Sequence, residues 1–377
     1  MTAARKSSII EFFSKTLFFW IWCFVKNISP KTGRKILYWA LTDNSFLTHP
    51  THSPVLGVNA LGKHFSNPIG VAAGFDATPT LKYNDTLIDY GFGFAEFGTF
   101  TLERESTPTN VSFIASKKAV IVDDRYHTNP GVRVIQRHLV ERRRLPHIAG
   151  ISISSNYEPP EGKQNTDIFE KIEQELLQTV TMVAPYCDYI TLNLSHASLP
   201  ISNLLVSSLT LERILVNLKE RIKKQAPITL PRLLVKIPCD LPETSIKDLA
   251  EAFVSAGIDG LIIGGYLSSK RERKRIISRL RGNVCGQPIK DLSTALIEKF
   301  YQAMQGKVMI IACGGVFTGE DAFEKIKSGA TLIQLHSALL YEGPEIVNKI
   351  NRKLANLLQL NGFKSVQDAV GYFFHRE

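Results

Sequence analysis

The chain has 377 residues, of which 44% are hydrophobic and 21% are charged, and it carries a formal net charge of +10 at pH 7. This composition is typical of an ordinary globular protein and excludes a disordered or fibrous chain. The five cysteines are scattered without a CxxC pair, so the sequence indicates a reducing compartment with neither a disulfide framework nor a zinc site.

Residues 1–50 differ in character from the rest of the chain. Their uninterrupted apolar run, residues 17–25, reads "LFFWIWCFV", about half of the ~20 residues that a membrane-spanning helix needs. Two short helices rich in Phe, Trp and Leu, broken at Ser29-Pro30, predict an amphipathic, interfacial membrane anchor. A single membrane span is the alternative. A signal peptide is disfavoured because no small-residue cleavage site follows.

Two basic runs contribute much of the excess charge, "ERRRLP" at 141–146 and "KRERKRIISRLR" at 270–281. A solvated protein face is the simplest interpretation, and an anionic membrane surface is a second one. No zinc-finger, RNP-type or helix-turn-helix signature accompanies the runs, so a nucleic-acid partner is not expected.

Residues 51–377 alternate between short apolar runs and longer stretches with helical periodicity. Eight runs have the continuous apolar character of parallel strands that are buried on both faces. They begin at Asn67, Gly93, His147, Tyr189, Arg232, Gly260, Val308 and Thr331. Between two of them, Thr318 and Asp321 have capping-box spacing and predict a helix start. The pattern predicts an α/β fold, a (β/α)8 TIM barrel with an N-terminal amphipathic helical extension. A doubly wound sheet is disfavoured because no dinucleotide-binding glycine fingerprint follows the first strand.

The ends of strands five, seven and eight carry the residue types of an anion site. Strand seven ends in "CGGVFTGEDA", where Gly314 and Gly315 allow backbone N–H groups to approach a phosphate, and His336 and Ser337 end strand eight. The alternative is that the glycines only turn the chain. Lys236 ends the apolar strand five, where a lysine is costly unless it meets an anion. A structural salt bridge is possible there, and a reduced flavin is a fitting ligand.

Several stretches resemble class 2, quinone-linked dihydroorotate dehydrogenases. They include "NPIGVAAGFD", "GFGFAEFGT", "LLVKIP" and the run from Gly286 to Pro344. The resemblance implies FMN at the top of the barrel, dihydroorotate oxidised to orotate in pyrimidine biosynthesis, and a membrane quinone as electron acceptor. It also implies a peripheral protein on the cytoplasmic face of the inner membrane. The FMN-binding residues that it implies are Ala72, Ala73, Gly74, Thr99, Asn193, Lys236, Gly286, Gly314, Gly315, His336 and Ser337, with His336 standing where a tyrosine is usual.

The substrate side departs from the family pattern. Of the four asparagines that the family places around the orotate ring, Asn193 is the one that is clearly retained. Asp124 and Ser198 occupy the positions of two further substrate contacts. Other departures are Ala77, Ser152, Ala197, Leu199, Gly264 and Gly265.

His196 stands where class 2 enzymes carry the serine that removes the substrate's C5 proton. An imidazole is a competent base near neutral pH, so His196 is predicted to be the catalytic residue. A degenerate site, in which His196 has no task, is the alternative. Three hypotheses therefore remain: a dihydroorotate dehydrogenase, a flavin enzyme with an altered substrate, and an inactive membrane-associated homologue.

Overall fold

The computed structural model describes residue 41 and residues 50–106, 111–114, 119–122, 128–143, 145, 147–157, 165–195, 200–225, 230–267 and 283–375. Within these residues the chain forms thirteen strands. In chain order they are β1 (Val58–Ala60), β2 (Lys63–Phe65), β3 (Ile69–Val71), β4 (Phe94–Phe100), β5 (Val111–Ile114), β6 (Ala119–Val122), β7 (Ala149–Ile153), β8 (Tyr189–Asn193), β9 (Arg232–Ile237), β10 (Gly260–Ile263), β11 (Asn283–Gly286), β12 (Met309–Cys313) and β13 (Ala330–Leu335).

Ten helices lie in the same described residues. They are α1 (Tyr83–Asp89), α2 (Val132–Arg142), α3 (Asn165–Val183), α4 (Ser208–Gln225), α5 (Ile246–Ser255), α6 (Lys290–Met304), α7 (Gly319–Lys327), α8 (Ser337–Glu342), α9 (Ile346–Leu360) and α10 (Val366–Ala369). Short 3-10 segments span Pro54–Leu56, Ala184–Tyr186, Pro200–Val206, Glu243–Ser245, Gln287–Ile289 and Tyr372–Phe374.

Eight strands close into a barrel in the order β3, β4, β7, β8, β9, β10, β12 and β13, and β13 pairs with β3. All eight pairings are parallel. These are the eight strands that the apolar runs predicted, so the predicted (β/α)8 barrel is confirmed. The strands are buried on both faces, as β7 and β8 show by being buried at every position. A hairpin of β1 and β2 precedes the barrel, and Phe65 packs edge-on against Phe94 of β4 with ring centroids 5.4 Å apart.

The predicted capping box is present at the start of α7. The backbone N–H of Asp321 donates to Thr318 Oγ1 over 3.1 Å, and the N–H of Thr318 donates to Asp321 Oδ2 over 2.9 Å. These bonds satisfy two backbone groups that a helix start leaves without intrahelical partners. They also fix the start of α7, the helix that follows the Gly314–Gly315 turn.

Five strands outside the barrel were not predicted from the sequence, namely β1 and β2 of the hairpin and β5, β6 and β11. β5, β6 and β11 form a separate antiparallel sheet, with β6 in the centre. A bridge between Leu267 and Val284 ties β11 to the chain that leaves β10. This sheet delivers Gly286, one of the predicted FMN-binding residues, to the carboxyl ends of the barrel strands.

The predicted N-terminal segment lies mostly outside the described residues, and the basic run at 270–281 lies entirely outside them. Leu41 is described, and it is buried in the same hydrophobic cluster as the barrel core. No helix in the described part of the chain is both long and apolar enough to cross a membrane. In the first basic run, Arg142 is half-buried and donates to Asp85 Oδ2 over 2.8 Å and to the Leu81 carbonyl over 3.2 Å. Arg142 therefore holds α2 against α1, which is a structural role.

Candidate functional site at the carboxyl ends of the strands

A cavity opens at the carboxyl ends of β3, β9, β12 and β13, and we call it the first cavity. Its empty volume, which includes space open to solvent, is about 460 Å³. It brings together eight of the eleven predicted FMN-binding residues. These are Ala72, Ala73, Lys236, Gly286, Gly314, Gly315, His336 and Ser337.

The glycine turn after β12 has a conformation and a packing that require glycine. Gly315 has φ of +76°, and a Cβ there would lie 2.4 Å from Lys290 Cα and 2.7 Å from Lys290 N. A real Cβ atom does not approach backbone atoms this closely, so no other residue fits without moving the start of α6. The turn therefore presents bare backbone to the first cavity, which is how glycine-rich loops admit a phosphate.

Lys236 lies between this cavity and a neighbouring one. Lys236 is buried, with 5% of its surface exposed. Its ammonium makes no hydrogen bond or ion pair with any residue that the structure describes. A buried ammonium is costly unless an anion receives it. The Lys236 charge also acts on the neighbouring Cys313 thiol. Burial raises the pKa of this thiol, and the Lys236 charge lowers it. Lys236 thus fits an anionic ligand.

The neighbouring space, the second cavity, holds about 480 Å³ and shares Ala73, Lys236 and Tyr266 with the first cavity. The three remaining predicted FMN-binding residues lie here, and they are Gly74, Thr99 and Asn193. The other lining residues are Ala77, Gly98, Thr128 and Ser195. The two cavities together therefore collect every predicted FMN-binding residue around one buried lysine.

Asn193 at the end of β8 is held by its protein neighbours. Its Oδ1 accepts from the Ser195 N–H over 3.0 Å and from Ser195 Oγ over 2.6 Å. Its Nδ2 donates to Thr99 Oγ1 over 2.9 Å, and Ser152 Oγ lies 2.9 Å from the same hydroxyl. Because a carbonyl oxygen has two lone pairs and an amide nitrogen two hydrogens, Asn193 can offer a ligand one N–H.

The loop after β10 differs most from the family pattern that the sequence suggested. A Cβ at Gly264 would lie 1.7 Å from the Cys313 carbonyl oxygen, so this position accepts glycine alone. A Cβ at Gly265 would make only ordinary contacts, at 3.5 Å from Lys236 Cε and 3.6 Å from Ser195 Oγ. Tyr266, which follows, lines both cavities. Sequence reasoning missed Tyr266, because a tyrosine after an apolar strand resembles an ordinary core residue.

Polar side chains lie inside the barrel below the first cavity. Gln334 of β13 lines the cavity and donates to Glu96 Oε2 over 3.0 Å, and Thr191 Oγ1 donates to the same oxygen over 2.9 Å. Tyr189 is fully buried, and burial followed by the nearby Glu96 charge raises its pKa well above the ordinary value. The sequence did not reveal this polar layer.

Asp76 fixes the loop that carries Ala72, Ala73 and Gly74. Its fully buried carboxylate accepts the backbone N–H groups of Thr78, Tyr83 and Asn84 over 3.2, 2.9 and 3.2 Å, and the Thr78 hydroxyl over 2.6 Å. Its backbone carbonyl accepts the Gly98 N–H over 2.9 Å. One aspartate therefore organises both the loop after β3 and the end of β4.

We expect Asp76→Ala to lower the free energy of unfolding by about 2–4 kcal/mol, because it leaves several buried donors without an acceptor. Urea denaturation measures this effect. The matched control is Asp368→Ala, which removes an exposed carboxylate that accepts the N–H groups of Lys364 and Ser365 and is expected to cost about 1 kcal/mol. Equal losses in the two variants would contradict the role given to Asp76.

Three residues of the predicted site lie outside the described residues, namely Asp124, His196 and Ser198. Their predicted roles therefore stay predictions. The structure does describe Ser195, which is fully buried and lines the second cavity. The chain thus reaches the second cavity at the residue before His196.

The fold and the two cavities define the class of this protein. It is a (β/α)8 barrel with a ligand site at the carboxyl ends of its strands, built from a glycine turn and a buried lysine that no described residue neutralises. This combination suits an anionic ligand that carries a phosphate.

Comparison with known proteins identifies the family to which the chain belongs. Residues 55–358 match the family described as Dihydroorotate dehydrogenase, and the chain belongs to this family. It is 33% identical over 325 residues to the mitochondrial dihydroorotate dehydrogenase (quinone) of Mus musculus, covering 85% of this chain and 80% of the relative. It is 30% identical over 350 residues to the dihydroorotate dehydrogenase (quinone) of Parvibaculum lavamentivorans, covering 91% of this chain and 95% of the relative. The crystal structure of DHODH in complex with ferulenol from Eimeria tenella superposes with a TM-score of 0.82 at 26% identity, covering 93% of this chain and 96% of that one.

Proposed function

We propose that the protein oxidises dihydroorotate to orotate with bound FMN and passes the electrons to a membrane quinone. The observation that carries the proposal is Lys236, a buried ammonium that joins the two cavities and has no anionic partner among the described residues. Family membership supports the reaction, since relatives at 30–33% identity carry the name dihydroorotate dehydrogenase (quinone).

The residues of the first cavity fit FMN. The bare backbone at Gly314 and Gly315, with Ser337 beside it, would hold the phosphate, and Lys236 would face the charge of the ring. When bound, FMN supplies the acceptor for a hydride from the substrate. The protein's own part is to orient the ring and to stabilise negative charge at it through the Lys236 ammonium, which burial keeps unscreened by water.

The second cavity would receive the dihydroorotate. Asn193 would donate its remaining N–H to the substrate, and Asp124 and Ser198 are proposed as further contacts. His196 is proposed to take the proton from C5 as general base, which a neutral imidazole can do directly. Ser195 would set the position of His196, because its N–H and its hydroxyl are both bonded to Asn193.

A second function is favoured by the loop after β10. Gly264 and Gly265 stand where the family carries Thr and Asn, and the phenol of Tyr266 lines both cavities together with Lys236. These changes support a flavoprotein of the same family that acts on a substrate other than dihydroorotate. An inactive homologue is the third candidate.

Two measurements on the purified full-length protein separate these functions. A visible flavin spectrum distinguishes a flavoprotein from a protein without cofactor. Turnover of dihydroorotate with a quinone, and in parallel with a dye acceptor, distinguishes the dehydrogenase from a flavin enzyme of altered substrate. A colourless protein that takes up no added FMN would contradict both flavin functions.

We further propose that residues 1–50 attach the protein peripherally to the cytoplasmic face of the inner membrane. Deletion of residues 1–40 is expected to move the protein from the membrane to the soluble fraction, because the deletion removes the apolar anchor. The deletion ends before Leu41, since Leu41 is buried in the core. Carbonate washing of membranes that hold the full chain is the companion measurement. Full resistance to it would favour a membrane span.

A further inference from the structure

We propose that Lys325 is a positioning residue of the phosphate site: a buried cation beneath the Gly314–Gly315 turn that strengthens binding of the FMN phosphate without touching it. The inference rests on the proposed function, because it takes FMN as the ligand of the first cavity. It concerns a side chain that lines neither cavity and that the proposed reaction does not otherwise use.

The ammonium of Lys325 is linked to the turn through hydrogen bonds. Lys325 lies on α7 and is fully buried. Its Nζ donates to Ser293 Oγ over 2.6 Å, to Thr294 Oγ1 over 2.9 Å and to the Lys290 carbonyl over 3.2 Å. Ser293 Oγ in turn lies 3.2 Å from the Gly314 carbonyl oxygen. One serine hydroxyl therefore separates the cation from the backbone of the turn.

All three acceptors of Lys325 are uncharged, so its own contacts do not neutralise its charge. The nearby carboxylates, Asp321 and Glu324 of α7, are both paired with Lys290 of α6, each over 2.9 Å. Among the described residues, Cys239, after β9, and Cys313 of β12 are two further titratable neighbours. Burial raises the pKa of both thiols, so both stay neutral near pH 7.

A buried positive charge of this kind is costly in the protein without ligand and is favourable once an anion is bound. Burial accordingly lowers the pKa of Lys325 to about 8. The FMN phosphate is close to a dianion above its second pKa of about 6. Lys325 and Lys236 are both buried and both act on the Cys313 thiol at the end of β12, and both charges favour that dianion.

The sign of the pH dependence follows from linkage. Because a bound phosphate favours protonated Lys325, FMN binds most tightly where Lys325 is already protonated in the free protein. The affinity should fall as pH rises through about 8, while the phosphate charge stays constant. Riboflavin has the same ring and no phosphate, so its affinity should not share this fall.

The test measures the dissociation constants of FMN and riboflavin for the full-length apoprotein by quenching of flavin fluorescence between about pH 7 and 9.5. For the wild type we expect the preference for FMN over riboflavin to fall about tenfold across this range, because a bound phosphate should raise the pKa of Lys325 by about 1. Lys325→Met should lower the preference about tenfold at pH 7 and make it independent of pH. Lys325→Gln, which keeps a donor for Ser293 and Thr294, should behave in the same way.

Lys327→Met is the matched control. Lys327 lies on the same helix, but its ammonium lies over the rings of Phe323 and Phe373, 4.5 and 4.6 Å from their centroids. This variant should keep the wild-type preference and its pH profile. A wild-type preference that stays flat across the range overturns the proposal, as does a fall that persists in either Lys325 variant. Failure of the wild type to bind either flavin would instead contradict the proposed function.

Discussion

Gly315→Ala is expected to abolish flavin retention by the purified protein. The added Cβ would lie 2.4 Å from Lys290 Cα, a backbone atom at the start of α6, and φ at this position is +76°. Neither the helix start nor the turn can move aside without displacing the backbone N–H groups that are proposed to receive the phosphate. The ratio of flavin absorbance to protein absorbance after gel filtration measures the effect, and far-ultraviolet circular dichroism checks the fold.

Gly362→Ala separates the close approach from the backbone conformation. Gly362 has almost the same φ, +78°, but a Cβ there would meet nothing within 4 Å. Gly362→Ala has the strain of a non-glycine residue at positive φ, about 1–2 kcal/mol, but makes no close contact. This variant should therefore keep its flavin. Full flavin content in a folded Gly315→Ala variant would show that the phosphate lies elsewhere.

The barrel could be predicted because its strands are buried on both faces. A strand such as β8, buried at each of its positions, gives an apolar run that is legible without any knowledge of its partners. The strands β5, β6 and β11 are four residues each, and β11 pairs with a segment far away in the chain. Local sequence carries little information about such short strands and distant pairings, so this sheet was missed.

The site could be predicted where a residue type conflicts with its surroundings. Lys236 stands out as a charge at the end of an apolar strand, and paired glycines stand out before a helix. Tyr266 and Lys325 have no such signal, because a tyrosine fits an apolar context and a lysine on a helix is usually exposed. Their positions result from the closure of the barrel, which brings α6, α7 and the loop after β10 around one turn.

The hydrogen bonds of Asn193 show a further limit of the sequence. Asn193 resembles a substrate-binding asparagine, and the sequence shows nothing of its bonds to Thr99 and Ser195. Those bonds restrict it to one remaining donor. The altered loop after β10 and this restriction both concern the second cavity, where dihydroorotate is proposed to bind. His196, the residue after Ser195 in the sequence, is therefore the most informative position to change.

His196→Ala is expected to slow flavin reduction by dihydroorotate by about 10²–10⁴-fold, the usual contribution of a general base. Flavin content should not change, since the FMN site is assigned to other residues. In the wild type, the rate should rise with pH through the titration of an imidazole, whose unperturbed pKa is about 6.5, because only the neutral ring accepts a proton. This rise should be absent in the alanine variant. Stopped-flow measurement of flavin absorbance under anaerobic conditions gives both results.

His196→Ser is the matched variant, because it places the family's residue at this position. Partial recovery relative to alanine would support the assignment of His196 to the position of the base, and the remaining deficit would measure how far the loop is adapted to an imidazole. If the wild type reduces its flavin and all three rates agree, His196 takes no part in the reaction. If FMN is bound and none of the three proteins is reduced by dihydroorotate, the protein either acts on another substrate or is an inactive homologue. For the first of these, the phenol of Tyr266 and the missing side chain at Gly265 are the features that a search for the substrate must match.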